Sequence, residues 1–209
     1  MGRASGVNLS GGETEALARK AARGAGLPWG LAEEAGMAAR WLAERGLPGA
    51  ATLAALLTEI DGAGPLPPVP GETWRAKHDR LCPICCGAAL SDRLETGPLT
   101  VLDVLHPLLM LPHLASVADR TGRPVTIRWP GGGAILSRTP SLHGAPPPAR
   151  GDIRILPARA PGPWPRAPRT PEPVAPAAVD ILNAFAHRTY APAHLGREGG
   201  AGAGLTDSD

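Results

Sequence analysis

Apolar residues recur at helical spacing through the first sixty positions and at strand spacing only later. Leu31, Ala35, Ala38 and Leu42 follow a three-to-four-residue rhythm that puts them on one helix face. Ser10 with Glu13 has the capping-box spacing, in which each side chain satisfies the other residue's unpaired backbone N–H. The pattern predicts a first helix over 11–23 stopped by Gly24, and a second over 28–45 with Pro28 at its first position, ended by Gly46. A third covers 49–60 and stops before Gly62. The first two carry many small residues: Ala18, Ala21 and Ala22 on one, and Ala32, Ala35, Gly36 and Ala39 on the other. Gly36 in a helix interior costs about 1 kcal/mol relative to alanine, so a tight helical pair is the expected reason for it.

Residues 63–70, AGPLPPVP, read as an irregular connection. Beyond it the pattern predicts a short helix over 83–95 with Pro83 at its start, and another over 112–122 opened by Pro112 and closed by Gly122. PVTIRW (124–129) and AILS (134–137) read as paired strands across PGGG, and DIRIL (152–156) as a third strand. The proline- and arginine-rich stretch 157–176 reads as an exposed loop. A last helix over 177–188 packs Leu182 and Phe185, and a Gly-rich tail follows over 196–209. The expected fold class is α+β: a helical N-terminal part, a small, mainly antiparallel sheet in the C-terminal half, and the tail. The expected organisation is one domain over 1–209, with a helical part at 9–62 and a mixed α/β part at 71–190.

Composition narrows this reading. The 209 residues include Gly 27 and Pro 25 but only Trp 5, Tyr 1 and Phe 1, so Leu, Ala, Val and Ile must build the core. The net charge of +2 gives no global attraction to nucleic acid or membrane. Nine arginines between Arg120 and Arg169 face a single acidic residue, Asp152, but without interleaved aromatics beyond Trp129 and Trp164 they read as a solvated loop rather than a phosphate-binding surface. The most apolar stretch, 101–118, contains Asp103, His106, Pro107, Pro112 and His113, which argues against a membrane span. MGRASGVNLSGG lacks the apolar core of a signal peptide, and three clustered cysteines make a poor disulfide framework, so a cytoplasmic location is expected.

The candidate chemistry is sparse. In CPICC, Cys82 and Cys85 have the spacing of a zinc-binding or redox-active pair, with His78 and His106 as possible completions of a metal site. No second ligand pair stands at regular spacing, and TWRAKHDRL ahead of it is a poor strand, so Cys82, Cys85 and Cys86 read first as small core residues. His106 and His113 read as hydrogen-bonded core or rim residues before acid–base groups. No nucleophile elbow, metalloprotease or phosphate-loop motif occurs. No metal and no cofactor is assigned. Glu33 and Glu34 stand on the first turns of the second helix, where carboxylates suit the helix dipole; Arg40 shares a face with Glu33, and Trp41 with Glu34.

Two longer blocks, KAARGAGLPWGLAEEAGMAARWL (20–42) and RTYAPAHLGREGGAGAGLTDSD (188–209), resemble a bacterial family of unknown function, domain of unknown function 3726. The resemblance runs through Trp29, Gly30, Ala32, Glu33 and Glu34, through Arg188, Thr189 and Tyr190, and into the terminal glycine–alanine run. The chain departs from the family pattern at Gly11, Gly12, the AHLGRE segment and Ser208, which weakens any inference about individual tail contacts. The resemblance implies a stand-alone cytosolic protein and no particular activity. On this basis the expected function is a small-molecule-binding or accessory protein whose tail contacts a small polar metabolite or a protein partner, through Trp29, Glu33, Glu34, Arg40, Arg188, Tyr190, Gly202, Gly204, Thr206 and Asp207. The alternative is an enzyme acting on a small polar metabolite, with Glu33 or Glu34 as base, Arg40 or Arg188 holding a carboxylate and Tyr190 donating a hydrogen bond.

Overall fold

The computed structural model describes residues 6–77, 80–94, 96–158 and 173–190. Three helices come first: α1 (Gly11–Gly24), α2 (Trp29–Ala43) and α3 (Gly49–Ile60). Ser10 caps α1 through the reciprocal box, its hydroxyl accepting from the Glu13 N–H while Glu13 Oε2 accepts from the Ser10 N–H at 2.8 Å. Two boundaries differ from the sequence reading. Gly24 is the last residue of α1, and the left-handed position falls on Gly26, at φ +94°. Pro28 stands outside α2 as its N-cap, with an extended ψ of 156°.

The small residues between α1 and α2 do what their size allows. Ala18, Ala21, Ala22, Ala32, Ala35 and Ala39 are fully buried. A Cβ at Gly36 would lie 3.0 Å from the Glu15 carbonyl oxygen and 3.2 Å from Arg19 Cβ, so backbone meets backbone here. The tight helical pair is therefore present.

The C-terminal half holds β1 (Thr73–Trp74), α4 (Pro83–Arg93), β2 (Leu99–Leu105), a 3₁₀ turn (Pro107–Met110), α5 (Leu111–Thr121), β3 (Val125–Trp129), β4 (Gly132–Leu136), β5 (Ser141–Gly144), β6 (Arg150–Pro157) and α6 (Pro176–His187). The strands form one sheet in the order β1-β2-β6-β3-β4-β5, antiparallel except for the β1–β2 pair. The hairpin β3–β4 and strand β6 fall where the alternation places them. Strand β2 overlaps the start of the run 101–118 read only as apolar, and β1 and β5 were not legible. The protein is thus α+β, with a helical N-terminal half and a mainly antiparallel sheet after it. Helix α5 packs on β3 and β4, α2 contacts α4 and α5, and α6 returns to lie against α1 and α3. Buried residues from both halves join one cluster that runs from Ala18 to Phe185. The tail and most of the proline–arginine stretch lie outside the described residues.

Candidate functional site

The end of β2 holds two of the three non-glycine residues with positive φ among the described residues. The register against β6 shifts between Val101 and Val104, a bulge that carries Asp103 into the left-handed region at φ 55°. His106 follows at φ 42°, again left-handed without being glycine. Such conformations cost of order 1–3 kcal/mol and persist where surrounding bonds over-determine them. Those bonds are present. The Asp103 N–H donates to Asp152 Oδ1 at 2.9 Å, and its carboxylate accepts from Arg150 Nε and Nη2 at 2.5 and 2.6 Å. The His106 N–H donates to the Ala149 carbonyl at 2.6 Å.

This strained strand end pins the chain ahead of α4. The Leu81 N–H donates to the Asp103 carbonyl at 2.9 Å, and the Leu105 N–H donates to the Leu81 carbonyl at 3.0 Å. Leu81 thereby makes a one-residue parallel bridge with Val104. The chain then turns into α4 with Cys82 as N-cap and Pro83 in the first turn, so the cysteine pair does stand at a helix start fed by strand-like backbone.

A small cleft opens beside Cys82. Glu59, Ile60, Ala63, Gly64, Leu66, Arg80, Cys82 and Leu105 line a cavity of about 20 Å³. Glu59 Oε1 lies 2.8 Å from Nε2 of His106, which is nine-tenths buried. Arg80 Nη2 donates to the Glu59 carbonyl at 3.1 Å. The cleft thus has an apolar floor, a carboxylate tied to an imidazole, a guanidinium and a thiol. All three cysteines are free and buried. Among the described residues, no group of three or more His, Cys, Asp or Glu side chains is arranged to hold a metal ion.

The thiols are not equivalent. The neighbouring Cys85 thiol holds Cys82 below the usual thiol range against the opposing effect of burial, with the nearby Cys85 and Ile84 backbone adding to the lowering. The Cys82 contact, and then burial, push Cys85 up. Burial, reinforced by the charge of Cys82, pushes Cys86 up.

The residues singled out in α2 and α6 have other surroundings. Trp29 is 66% exposed and lies under the Arg23 guanidinium at 4.7 Å. Glu33 is exposed. Glu34 Oε2 lies 3.3 Å from Nδ1 of His113 on α5. Arg40 pairs with Glu15 at 3.0 Å and Glu44 at 2.7 Å, across the α1–α2 surface, rather than with Glu33. Arg188 makes a two-pronged pair with Asp61 at 2.6 and 3.0 Å, just past the end of α3. Tyr190 is exposed and meets His187 edge-on. The structure does not gather these residues into one pocket, and Gly202, Gly204, Thr206 and Asp207 lie outside the described residues. Sequence reasoning linked Cys82 with His106 only as parts of a possible metal site and passed over Glu59 and Arg80.

Fold and cleft together define an α+β protein with a helical N-terminal half and a thiol-lined polar cleft at the edge of its sheet. The model of the family described as "Protein of unknown function (DUF3726)" matches residues 9–73, the stretch from α1 to the start of β1, so the similarity is confined to the N-terminal part of the chain. The match takes in Trp29, Glu33, Glu34, Arg40 and Glu59, and it stops before Arg80 and the cysteines. No curated protein and no solved structure matches the chain. No described helix is long and apolar enough to cross a membrane.

Proposed function

We propose that this protein binds a small polar ligand in the cleft between the end of α3 and the segment Arg80–Leu81–Cys82. One observation carries the reading: Glu59 and Arg80 converge on an apolar floor of Ile60, Leu66 and Leu105, with His106 behind Glu59 and a backbone strained at Asp103 and His106. A few polar groups fixed over an apolar floor is the usual make-up of a ligand site, and the space of about 20 Å³ takes one small polar group of a ligand whose remainder lies outside the cleft. Strained non-glycine residues concentrate at such sites.

The tail enters the same reading. Asp61, two residues after Glu59, holds Arg188, and the chain continues past Tyr190 from there. The segment beyond Tyr190 then supplies further contacts to the ligand or to a partner.

A thermal-shift screen against amino acids, carboxylic acids and sugar phosphates tests this, because a ligand that binds only the folded state raises its apparent stability by mass action. The full chain should respond to one ligand class. Glu59→Gln should lose the response, and a chain ended after Tyr190 should weaken it. A response that survives Glu59→Gln and Arg80→Ala unchanged would remove the cleft from consideration.

A further inference from the structure

In the sequence, Arg128 and Arg154 are two of nine arginines that read together as a solvated loop. In the fold they are strand residues, and the register sets them directly opposite each other. Thr100 on β2 faces Arg154 on β6, Arg154 faces Arg128 on β3, Arg128 faces Gly133 on β4, and Gly133 faces His143 on β5. These positions make one row across five adjacent strands. Ile155, Ile127 and Ala134, one step along the same strands, are fully buried, and α5 packs on β3 and β4. Side chains alternate along a strand, so the arginine row lies on the opposite, open face. Arg128 and Arg154 are exposed there.

Two cations directly across a strand pair destabilise a sheet. Neither guanidinium has an ion-pair or hydrogen-bond partner among the described residues. The nearest carboxylate on this face, Asp152, is two residues along β6 and accepts from the Asp103 N–H at 2.9 Å. Asp103 in turn holds Arg150. At the other end of the row, a Cβ on Gly133 would come within 2.9 Å of the His143 ring and 2.8 Å of the Ile127 carbonyl. The imidazole therefore lies over β4, one strand from Arg128. Strands are spaced about 4.8 Å apart, so the backbone from Arg154 to the position under that ring spans only about 10 Å.

We propose that this open face binds single-stranded nucleic acid through its phosphodiester backbone, with Arg128 and Arg154 as the principal contacts and His143 beside them. The inference is separate from the cleft and stands or falls without it.

Charge complementarity selects the occupant. A guanidinium matches the oxygens of a phosphate with two parallel N–H donors, and a bound phosphate relieves the repulsion between the opposed arginines. Each contact is exposed and therefore weak on its own, which favours a polymer that offers several phosphates at once over a free anion. A single strand can lie along a row on a sheet face, whereas a duplex is a stiff cylinder that touches it narrowly. Among the described residues, the exposed large apolar side chains are Val7, Trp29, Val69, Leu94, Ile181 and Tyr190, and none lies on these strands. The face therefore has nothing to insert into a bilayer and no exposed aromatic ring to stack on bases. Binding should be salt-sensitive and indifferent to base sequence.

The test measures fluorescence anisotropy of labelled single-stranded RNA of about twenty nucleotides, longer than one such face needs, with the full chain over a range of salt concentrations. The expected result is binding at about 50 mM salt that weakens steeply as salt rises, with equal affinity for two unrelated sequences. Arg128→Gln and Arg154→Gln should each lower the slope of log K against log salt by about 0.7, the share of one phosphate contact on a single strand. The double variant should bind about tenfold more weakly at low salt. Lys20→Ala, on the exposed side of α1, removes the same charge as either single variant and should leave affinity and slope at the parent values. Circular dichroism checks that each variant is folded, and the two single variants report on the row if the double one is not. The proposal is overturned if the parent does not bind at low salt, or if the glutamine variants keep the parent slope. It is equally overturned if Lys20→Ala loses as much affinity as they do. Duplex RNA bound as tightly as the single strand, equal or tighter binding to phosphatidylserine vesicles, or displacement of the strand by inorganic phosphate at matched phosphate concentration would each assign the face to a different ligand and overturn it too.

Discussion

Glu34 on α2 and His113 on α5 face each other across the contact between the two halves of the molecule, with Oε2 and Nδ1 3.3 Å apart. His113 is completely enclosed, and neither of its ring nitrogens has a well-directed hydrogen-bond partner. The pair therefore acts as a close, imperfectly aligned polar contact in an otherwise apolar seam. Its worth lies in keeping the imidazole from being stranded.

Glu34→Gln tests that. The close polar contact with the His113 ring holds the Glu34 carboxyl below the usual carboxylate range, against its partial burial. A depressed folded-state pKa contributes stability that is present above the ordinary glutamate value and lost as pH falls through the folded one. The variant should be less stable than the parent by about 1 kcal/mol near neutral pH, the scale of a single imperfect contact. That gap should close below about pH 4, the ordinary carboxylate range. Urea denaturation at several pH values reads both effects, and a gap that persists in acid would place the contribution elsewhere.

A second prediction separates charge from backbone strain at Asp103. Asparagine tolerates a left-handed φ, whereas alanine does not. Asp103→Asn should cost no more than ~1 kcal/mol, the loss of a half-exposed pair with Arg150. Asp103→Ala should cost about 1–2 kcal/mol more. The Arg150 guanidinium holds the Asp103 carboxyl below its usual range, so the Asn variant's deficit should appear above about pH 4 and fade below it, while the additional Ala deficit should not depend on pH. Equal losses in the two variants would mean that φ 55° carries no strain.

These two sites also show why the helical half was easier to read than the cleft. Ser10, Glu13 and the Leu31–Leu42 rhythm are local signals, and local signals determine α1 and α2. Strand β2 is different. Its bulge at Asp103 puts two consecutive residues, Leu102 and Asp103, in half-buried positions and breaks the alternation by which strands are recognised, so only an apolar run was visible. The Leu81 bridge is one residue long and has no period at all. Glu59, Arg80, Cys82 and His106 meet only because that bridge and the His106 backbone turn them toward one another. Their spacing in sequence carries no trace of it. Arg40 shows the opposite case: helix periodicity put it on the Glu33 face, but neighbouring carboxylates on α1 and α2, Glu15 and Glu44, took its guanidinium.

The α1–α2 seam yields a third prediction. Gly36→Leu would drive a branched side chain against the Glu15 carbonyl and the Arg19 side chain, with the nearest atoms already 3.0 and 3.2 Å from a bare Cβ. Overpacking of this kind costs typically 1–3 kcal/mol. Leucine's better helix propensity offsets up to ~1 kcal/mol of it, so a net loss is expected in urea denaturation. Full stability in Gly36→Leu would contradict close backbone contact between the helices.

The same logic applies where α6 returns to α1, and here a control lies in the same helix. A Cβ on Gly24 would run into the carbonyl of Phe185, a backbone atom that cannot swing aside. A Cβ on Gly12 would meet nothing. By propensity alone both substitutions to alanine should stabilise α1, by roughly 0.5–1 kcal/mol at most. Gly12→Ala should therefore leave the protein as stable as the parent or slightly more so, while Gly24→Ala should destabilise it by about 1–3 kcal/mol, as overpacking does. Hydrogen exchange would locate the damage. The amides of α6 should lose protection in Gly24→Ala, because α6 must move off α1 to admit the methyl group, and the Arg188–Asp61 pair that ties α6 to the end of α3 should loosen with it. If α6 stays protected in Gly24→Ala, the contact with α1 does not position that helix, and its docking rests on α3 alone.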